Sequence, residues 1–123
     1  MSVNVFGYGH LESVDVATNT TLALTTHSGK AVNVTATCTL TLPAVATMHR
    51  YLVMVGKPGI TVTISPNAAD LIAGAGAGSS GAGVDNKDLI FTNQPAGSFV
   101  ELAYGDANGW AVVSSRGSFT FEA

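Results

Sequence analysis

AVNVTATCTLTL, Ala31 to Leu42, is the stretch that decides the fold. Its even positions, Val32, Val34, Ala36, Cys38, Leu40 and Leu42, are apolar; its odd positions, Asn33, Thr35, Thr37, Thr39 and Thr41, are polar. Successive side chains of an extended chain point to opposite faces, so this rhythm predicts a strand with one buried and one wet face. A helix would scatter the same residues around its axis. Threonine suits the wet face because its stiff, branched side chain fits the pleat. Pro43 lacks a backbone donor and should end the strand or confine it to an edge.

The same grammar extends outward from this run. Tyr51 to Val55 (YLVMV) is continuously apolar, as expected of a strand covered on both faces. GKPG (Gly56 to Gly59) is a turn signal, and Ile60 to Ile64 alternates again, so the two runs predict a β-hairpin. Leu89 to Phe91 begins a further strand that NQPAG (Asn93 to Gly97) closes. Phe99 to Tyr104 and Trp110 to Ser114, joined by GDANG, predict a second hairpin. Phe119 and Phe121 alternate near the C-terminus, and Leu11 to Val16 and Leu22 to Thr26 are weaker strands. The only helical candidate, Ala44 to His49, is too short to stand without packing. No internal repeat is visible, so a solenoid is not expected. The expected fold is all-β: an antiparallel β-sandwich or small barrel over residues 11–123, preceded by an extended arm over residues 1–10 (MSVNVFGYGH).

At 123 residues the chain fits one domain. Charged residues are 11% of it, against about 25% in an ordinary soluble domain. With 46% apolar residues, disorder is not expected, and a subunit that hides surface in an assembly is favoured. No apolar run approaches the ~20 residues of a spanning helix, and the N-terminus lacks the basic start and apolar core of a secretory signal. Five Lys and Arg stand scattered against eight Asp and Glu, which disfavours a phosphate-backbone partner. The single cysteine, Cys38, falls on the apolar parity and reads as a buried, inert thiol.

The stretch AGAGAGSSGAG, Ala73 to Gly83, holds a GxGxxG match (Gly76, Gly78, Gly81) and one silk-like GAGAGS. A dinucleotide fingerprint requires a helix behind it, and a phosphate loop requires Lys followed by Ser or Thr; AGVDNKD supplies neither. One silk hexapeptide does not stack alone, so a loop of low side-chain content is expected.

The remaining chemistry is sparse. Histidines 10, 27 and 49 fall on different elements without zinc spacing, and no GxSxG nucleophile turn is present. Asp85, Asn86 and Asp88 lack the calcium-loop pattern and read as turn caps. Asn19 and Asn33 open Asn-x-Thr sequons that, without a signal peptide, are expected to stay bare. Trp110 is the one large aromatic able to stack on a sugar; core or interface packing is the competing reading. No metal, cofactor or catalytic set is expected.

From Leu40 to Gly117 the order of motifs is more specific than any one of them. Thr41-Leu42-Pro43 is followed by YLVMV, a glycine-containing turn, ITVTISP, ADLIAG, a Gly-rich insert, LIF and SFVELAYGDANGWAVVSSRG. The last segment carries Val100, Leu102, Gly105, Asp106, Asn108-Gly109-Trp110 and Val112, with GDANGW in place of a more compact DG-x-x-W turn. This order resembles the β-rich surface modules of tailed-bacteriophage virions, found in fibre-type proteins and small capsid-decoration (cement) proteins. The resemblance implies a structural, non-enzymatic virion protein, made in the host bacterial cytoplasm, that binds the outer capsid surface and stabilises the shell. It further implies a homotrimer whose partner is the major capsid protein, with neither nucleic acid nor membrane involved. Terminal arms commonly anchor such proteins, which casts Val3, Val5, Phe6 and Tyr8 as the docking residues. An alternative implied role is a receptor- or glycan-binding module of a tail fibre or spike, with Trp110 at its site.

Overall fold

The alternation of Ala31–Leu42 persists in the structure, but as two strands rather than one. The computed structural model describes residues 12–44, 49–67, 70–73, 87–106 and 109–122. They form eleven strands: β1 (Ser13–Val16), β2 (Thr20–Thr21), β3 (Ala31–Val34), β4 (Cys38–Thr41), β5 (Arg50–Val55), β6 (Thr61–Ser65), β7 (Leu71–Ala73), β8 (Leu89–Thr92), β9 (Phe99–Asp106), β10 (Gly109–Arg116) and β11 (Thr120–Phe121). One sheet runs β1-β3-β5-β9-β10-β7 and the other β11-β8-β6-β4-β2. No helix occurs among the described residues. The arm of residues 1–10, nearly all of the Ala73–Gly83 stretch and most of the short helix candidate lie outside the described residues.

The chain is all-β, as expected, yet both sheets are mixed rather than antiparallel. The first six strands alternate between sheets, with β1, β3 and β5 parallel in one and β2, β4 and β6 parallel in the other. They therefore wind as a short coil, against the expectation that no solenoid would occur. Ser13 pairs with Ala31 and Ala31 with Leu52, a repeat of 18 and then 21 residues. Thr20 pairs with Leu40 and Cys38 with Val62, a repeat of 20 and then 24. Turns of unequal length leave no fixed period in the sequence. The coil also corrects the expected hairpin at GKPG: β5 and β6 belong to different sheets, and Gly56–Gly59 is a corner between them. Gly59 takes the left-handed φ of +84° that this corner requires. The second expected hairpin is present as the antiparallel pair β9–β10. Leu22–Thr26, expected as a strand, is instead mostly a return turn after β2.

Polar side chains secure the corners. Thr39 N–H donates to Asn19 Oδ1 (2.8 Å) and Thr61 N–H to Thr37 Oγ1 (3.1 Å). Asn19 and Thr37 each immediately precede a strand of the second sheet, so a side-chain oxygen continues the ladder where backbone pairing stops. Between Val34 and Cys38 the chain changes sheets without losing parity, so Val32 and Val34 share one core with Cys38, Leu40 and Leu42.

That core also takes Tyr51, Val53 and Val55 of β5, Val62 and Ile64 of β6, Leu89 and Phe91 of β8, Val100 and Leu102 of β9, and Trp110 of β10. The opposite face of the first sheet is covered at its centre as well, since Ala31, Leu52 and Glu101, in cross-strand register, are all buried. YLVMV is thus covered on both faces, as its unbroken apolar run predicts. At Gly109 a Cβ would lie 2.1 Å from the Leu71 carbonyl oxygen, so only glycine lets β10 approach β7 here.

Candidate functional site

Trp110, the aromatic singled out from sequence, is wholly buried. Its indole meets the Tyr51 ring edge-on at a centroid distance of 5.5 Å. Packed this way, the ring offers no open face to a sugar, and core packing is its role. Trp110 Nε1 and Tyr51 Oη are both buried without a hydrogen-bond partner among the described residues. Val3, Val5, Phe6 and Tyr8, as well as His10, Asp85 and Asn86, lie outside the described residues. Asp88 joins the backbone closure of β8 on β11, accepting from Glu122 N–H at 3.0 Å. Cys38 is buried, and burial pushes its thiol pKa up, which suits an inert packing role.

The two described histidines lie in different settings. His27 is buried in the return turn between β2 and β3. Its Nδ1 accepts from Ala23 N–H at 2.9 Å while its own N–H donates to Ala23 O at 2.9 Å. Burial lowers its pKa, and the nearby charge of Lys30 pushes in the same direction. His49, just before β5, faces Ser28 Oγ through Nδ1 at 3.3 Å.

His49 also lines a shallow depression of about 380 Å³, to which Arg50, Ala103 and Tyr104 contribute among the described residues. Antiparallel pairing of β5 with β9 sets Arg50 opposite Ala103 on one face, while Tyr104, the next residue of β9, takes the parity of Trp110, its partner on β10. Arg50 Nε stands 3.6 Å from Glu101 Oε2. The carboxylate is buried, whereas the arginine side chain is 59% exposed. Tyr104 keeps 37% of its surface in solvent. Arg50 N–H reaches Ser28 Oγ at 3.4 Å, and its carbonyl accepts from Gly29 N–H at 2.8 Å. The turn before β3 thus fixes the start of β5 and, through it, one wall of the depression.

In a serine hydrolase the serine bonds one imidazole nitrogen while a carboxylate orients the other. Here the buried carboxylate belongs to Arg50, and the Ser28 hydroxyl braces the imidazole and a backbone N–H together. Among the described residues no three His, Cys, Asp or Glu side chains cluster as metal ligands. No described helix is long and apolar enough to cross a membrane. Sequence reasoning missed Arg50, Glu101 and Tyr104, because each reads locally as part of a strand and only sheet register brings them together. Scans against protein-family models, curated proteins and solved structures gave no match for this chain.

Proposed function

We propose that the chain is a structural virion protein: a capsid-decoration (cement) subunit that binds the outer surface of the shell and stabilises it without catalysing a reaction. In this reading the two sheets form a β-sandwich, residues 1–10 are the docking arm, the subunit works as a homotrimer, and the major capsid protein is the partner. The observation that carries the proposal is the position of β1. It ends its sheet among the described residues, and the arm sequence leads into it almost directly. A sheet edge next to an extended segment is suited to adding a strand to, or accepting one from, a neighbouring subunit. Val3, Val5, Phe6 and Tyr8 provide apolar side chains for such a contact. A specific contact of this kind buries ~800 Å² per partner. Its modest net affinity would be multiplied by the many copies on a symmetric shell.

The low charge supports the same reading. A surface covered by Thr, Ser and Asn tolerates close packing among copies with few charges to desolvate. Deletion of residues 1–10 tests the proposal. The shortened protein should keep its β-sheet circular dichroism and no longer co-sediment with expanded capsids. Co-sedimentation at the full-length level would reject the arm, and failure of the full-length protein to bind any capsid would reject decoration.

A further inference from the structure

We propose that the outer face of the first sheet is the seat of this chain's own N-terminal arm, residues 1–10, which covers Ala31 and Leu52 until a partner displaces it. This goes beyond the decoration role and does not depend on it.

The two sheets present unlike outer faces. By parity the second sheet turns outward Thr39 and Thr41 of β4, in register with Thr63 and Ser65 of β6, all partly exposed. Water satisfies such hydroxyls, and the face needs no cover. The first sheet turns outward Ala31, Leu52, Met54, Phe99, Ala103 and Ala111. Ser13, Ala31, Leu52 and Glu101 form one cross-strand rank, in which Ala31 (0%), Leu52 (6%) and Glu101 (9%) are hidden from solvent. All eleven strands belong to the two sheets, which share one core between their inner faces, so none of them lies across this rank. A leucine at the centre of a bare sheet face is not hidden to this degree; a further segment covers it.

The point where the chain enters the sheet identifies that segment. β1 begins at Ser13, a member of the rank, and the arm leads into it through Leu11 and Glu12. Strands stand ~4.8 Å apart, so Leu52 is two spacings, ~10 Å, from Ser13. Ten extended residues span ~33–36 Å, enough to fold back over the rank and beyond it. The arm also has suitable side chains. Val3, Val5, Phe6 and Tyr8 can bury apolar area on an apolar face, whereas the Gly74–Gly83 stretch, which leaves from the opposite edge at β7, brings mainly glycine and alanine. Glu101 is the one buried carboxylate of the rank, and Arg50 beside it (3.6 Å) offsets the cost of covering it. The contact keeps an apolar arm and an apolar face from adhering to other copies, and a partner that takes the arm has to bind it more tightly than the sheet does.

Methyl NMR on the full chain tests the contact, with a nitroxide attached at Asn4→Cys; Cys38 is buried and does not take the label. The label should broaden the Leu52 and Met54 methyl signals more than those of Thr39 and Thr63 on the far face. Phe6→Ser combined with Tyr8→Ser should restore the lost intensity, and deletion of residues 1–10 should shift the same two signals. Broadening no greater at Leu52 and Met54 than on the far face would overturn the proposal. Broadening that arises only between copies, when labelled chain is mixed with isotope-enriched unlabelled chain, would assign the seat to a second copy's arm and overturn it. A shift at Leu52 and Met54 on deletion of residues 74–83, with none on deletion of residues 1–10, would give the cover to that stretch and overturn it as well. None of these readouts involves a capsid, so the decoration reading stands or falls separately.

Discussion

The coil of β1–β6 and the hairpin of β9–β10 solve the same problem, the burial of a strand, in different ways. In the coil, neighbouring strands are parallel, corners are closed by Asn19 and Thr37, and inward positions are almost uniformly aliphatic. In the hairpin, strands are antiparallel, the register slips between Val112 and Ser114, and Val113 is left 47% exposed. The hairpin also supplies the largest core side chain, Trp110, and the most exposed described tyrosine, Tyr104, directly opposite each other in register. The coil is the regular part and spends its polar side chains on its own backbone. The hairpin, with β5 beside it, leaves polar and aromatic groups facing outward, which is where a ligand or partner can be met.

The largest effect expected from disturbing this contrast is at Trp110. Trp110→Ala removes a fully buried indole and should cost about 3–5 kcal/mol, enough to unfold much of a marginal domain. Val113→Ala, a few residues along the same strand, should stay within about 0.5 kcal/mol. Urea denaturation of both variants checks this, and a similar loss in each would mean that the hairpin is not divided as described.

Next come the corners. Thr37→Ala deprives Thr61 N–H of its acceptor and Asn19→Ala does the same to Thr39, each expected to cost about 0.5–1.5 kcal/mol. Chemical denaturation should show both losses, and amide exchange should quicken at Thr61 or Thr39 respectively. Unchanged exchange would show that water replaces these acceptors without penalty.

A smaller and conditional effect involves His27. Its folded pKa lies below the unfolded value of about 6.5, so the unfolded chain binds the proton more readily. The stability tied to its neutral form is complete above that pH and is lost as pH falls through the folded pKa. The thermal midpoint should therefore drop on acidification below about pH 6.5. His27→Asn, whose side-chain oxygen can still accept from Ala23 N–H, should flatten that part of the profile. An identical acid slope in the variant would assign the loss to other groups.

The smallest effect is expected at Tyr51. Its hydroxyl is buried without a partner among the described residues, so Tyr51→Phe removes a desolvated group that makes no bond to them. Stability should change by less than about 1 kcal/mol in either direction, in contrast to Trp110→Ala beside it. A loss of several kcal/mol in calorimetry would reveal a partner for the hydroxyl.

Much of the fold was legible in residue parity. The alternation in Ala31–Leu42, the unbroken YLVMV and the β9–β10 hairpin identified core faces correctly. Connectivity was not legible. Parity runs unbroken through Thr35–Thr37, so a corner and a continuous strand look alike in sequence. GKPG has the composition of a hairpin turn, and only long-range pairing reveals that the strands it joins part company. β7, three residues long and dependent on Gly109 for its partner, left little local signal. The depression was hidden for the same reason as the coil. Arg50 and Tyr104 are far apart in the chain, and only the antiparallel register of β5 on β9 joins them.

The third corner, Gly56–Ile60, is longer than the two before it, yet Thr37 and Thr61 stay abreast of one another. Spacing along the stack is therefore set by the rungs, and the bends absorb whatever length is left over. A scaffold built this way is modular at its elbows. Extra residues, a tag or a displayed peptide can be spliced in there while the strands above and below keep their alignment.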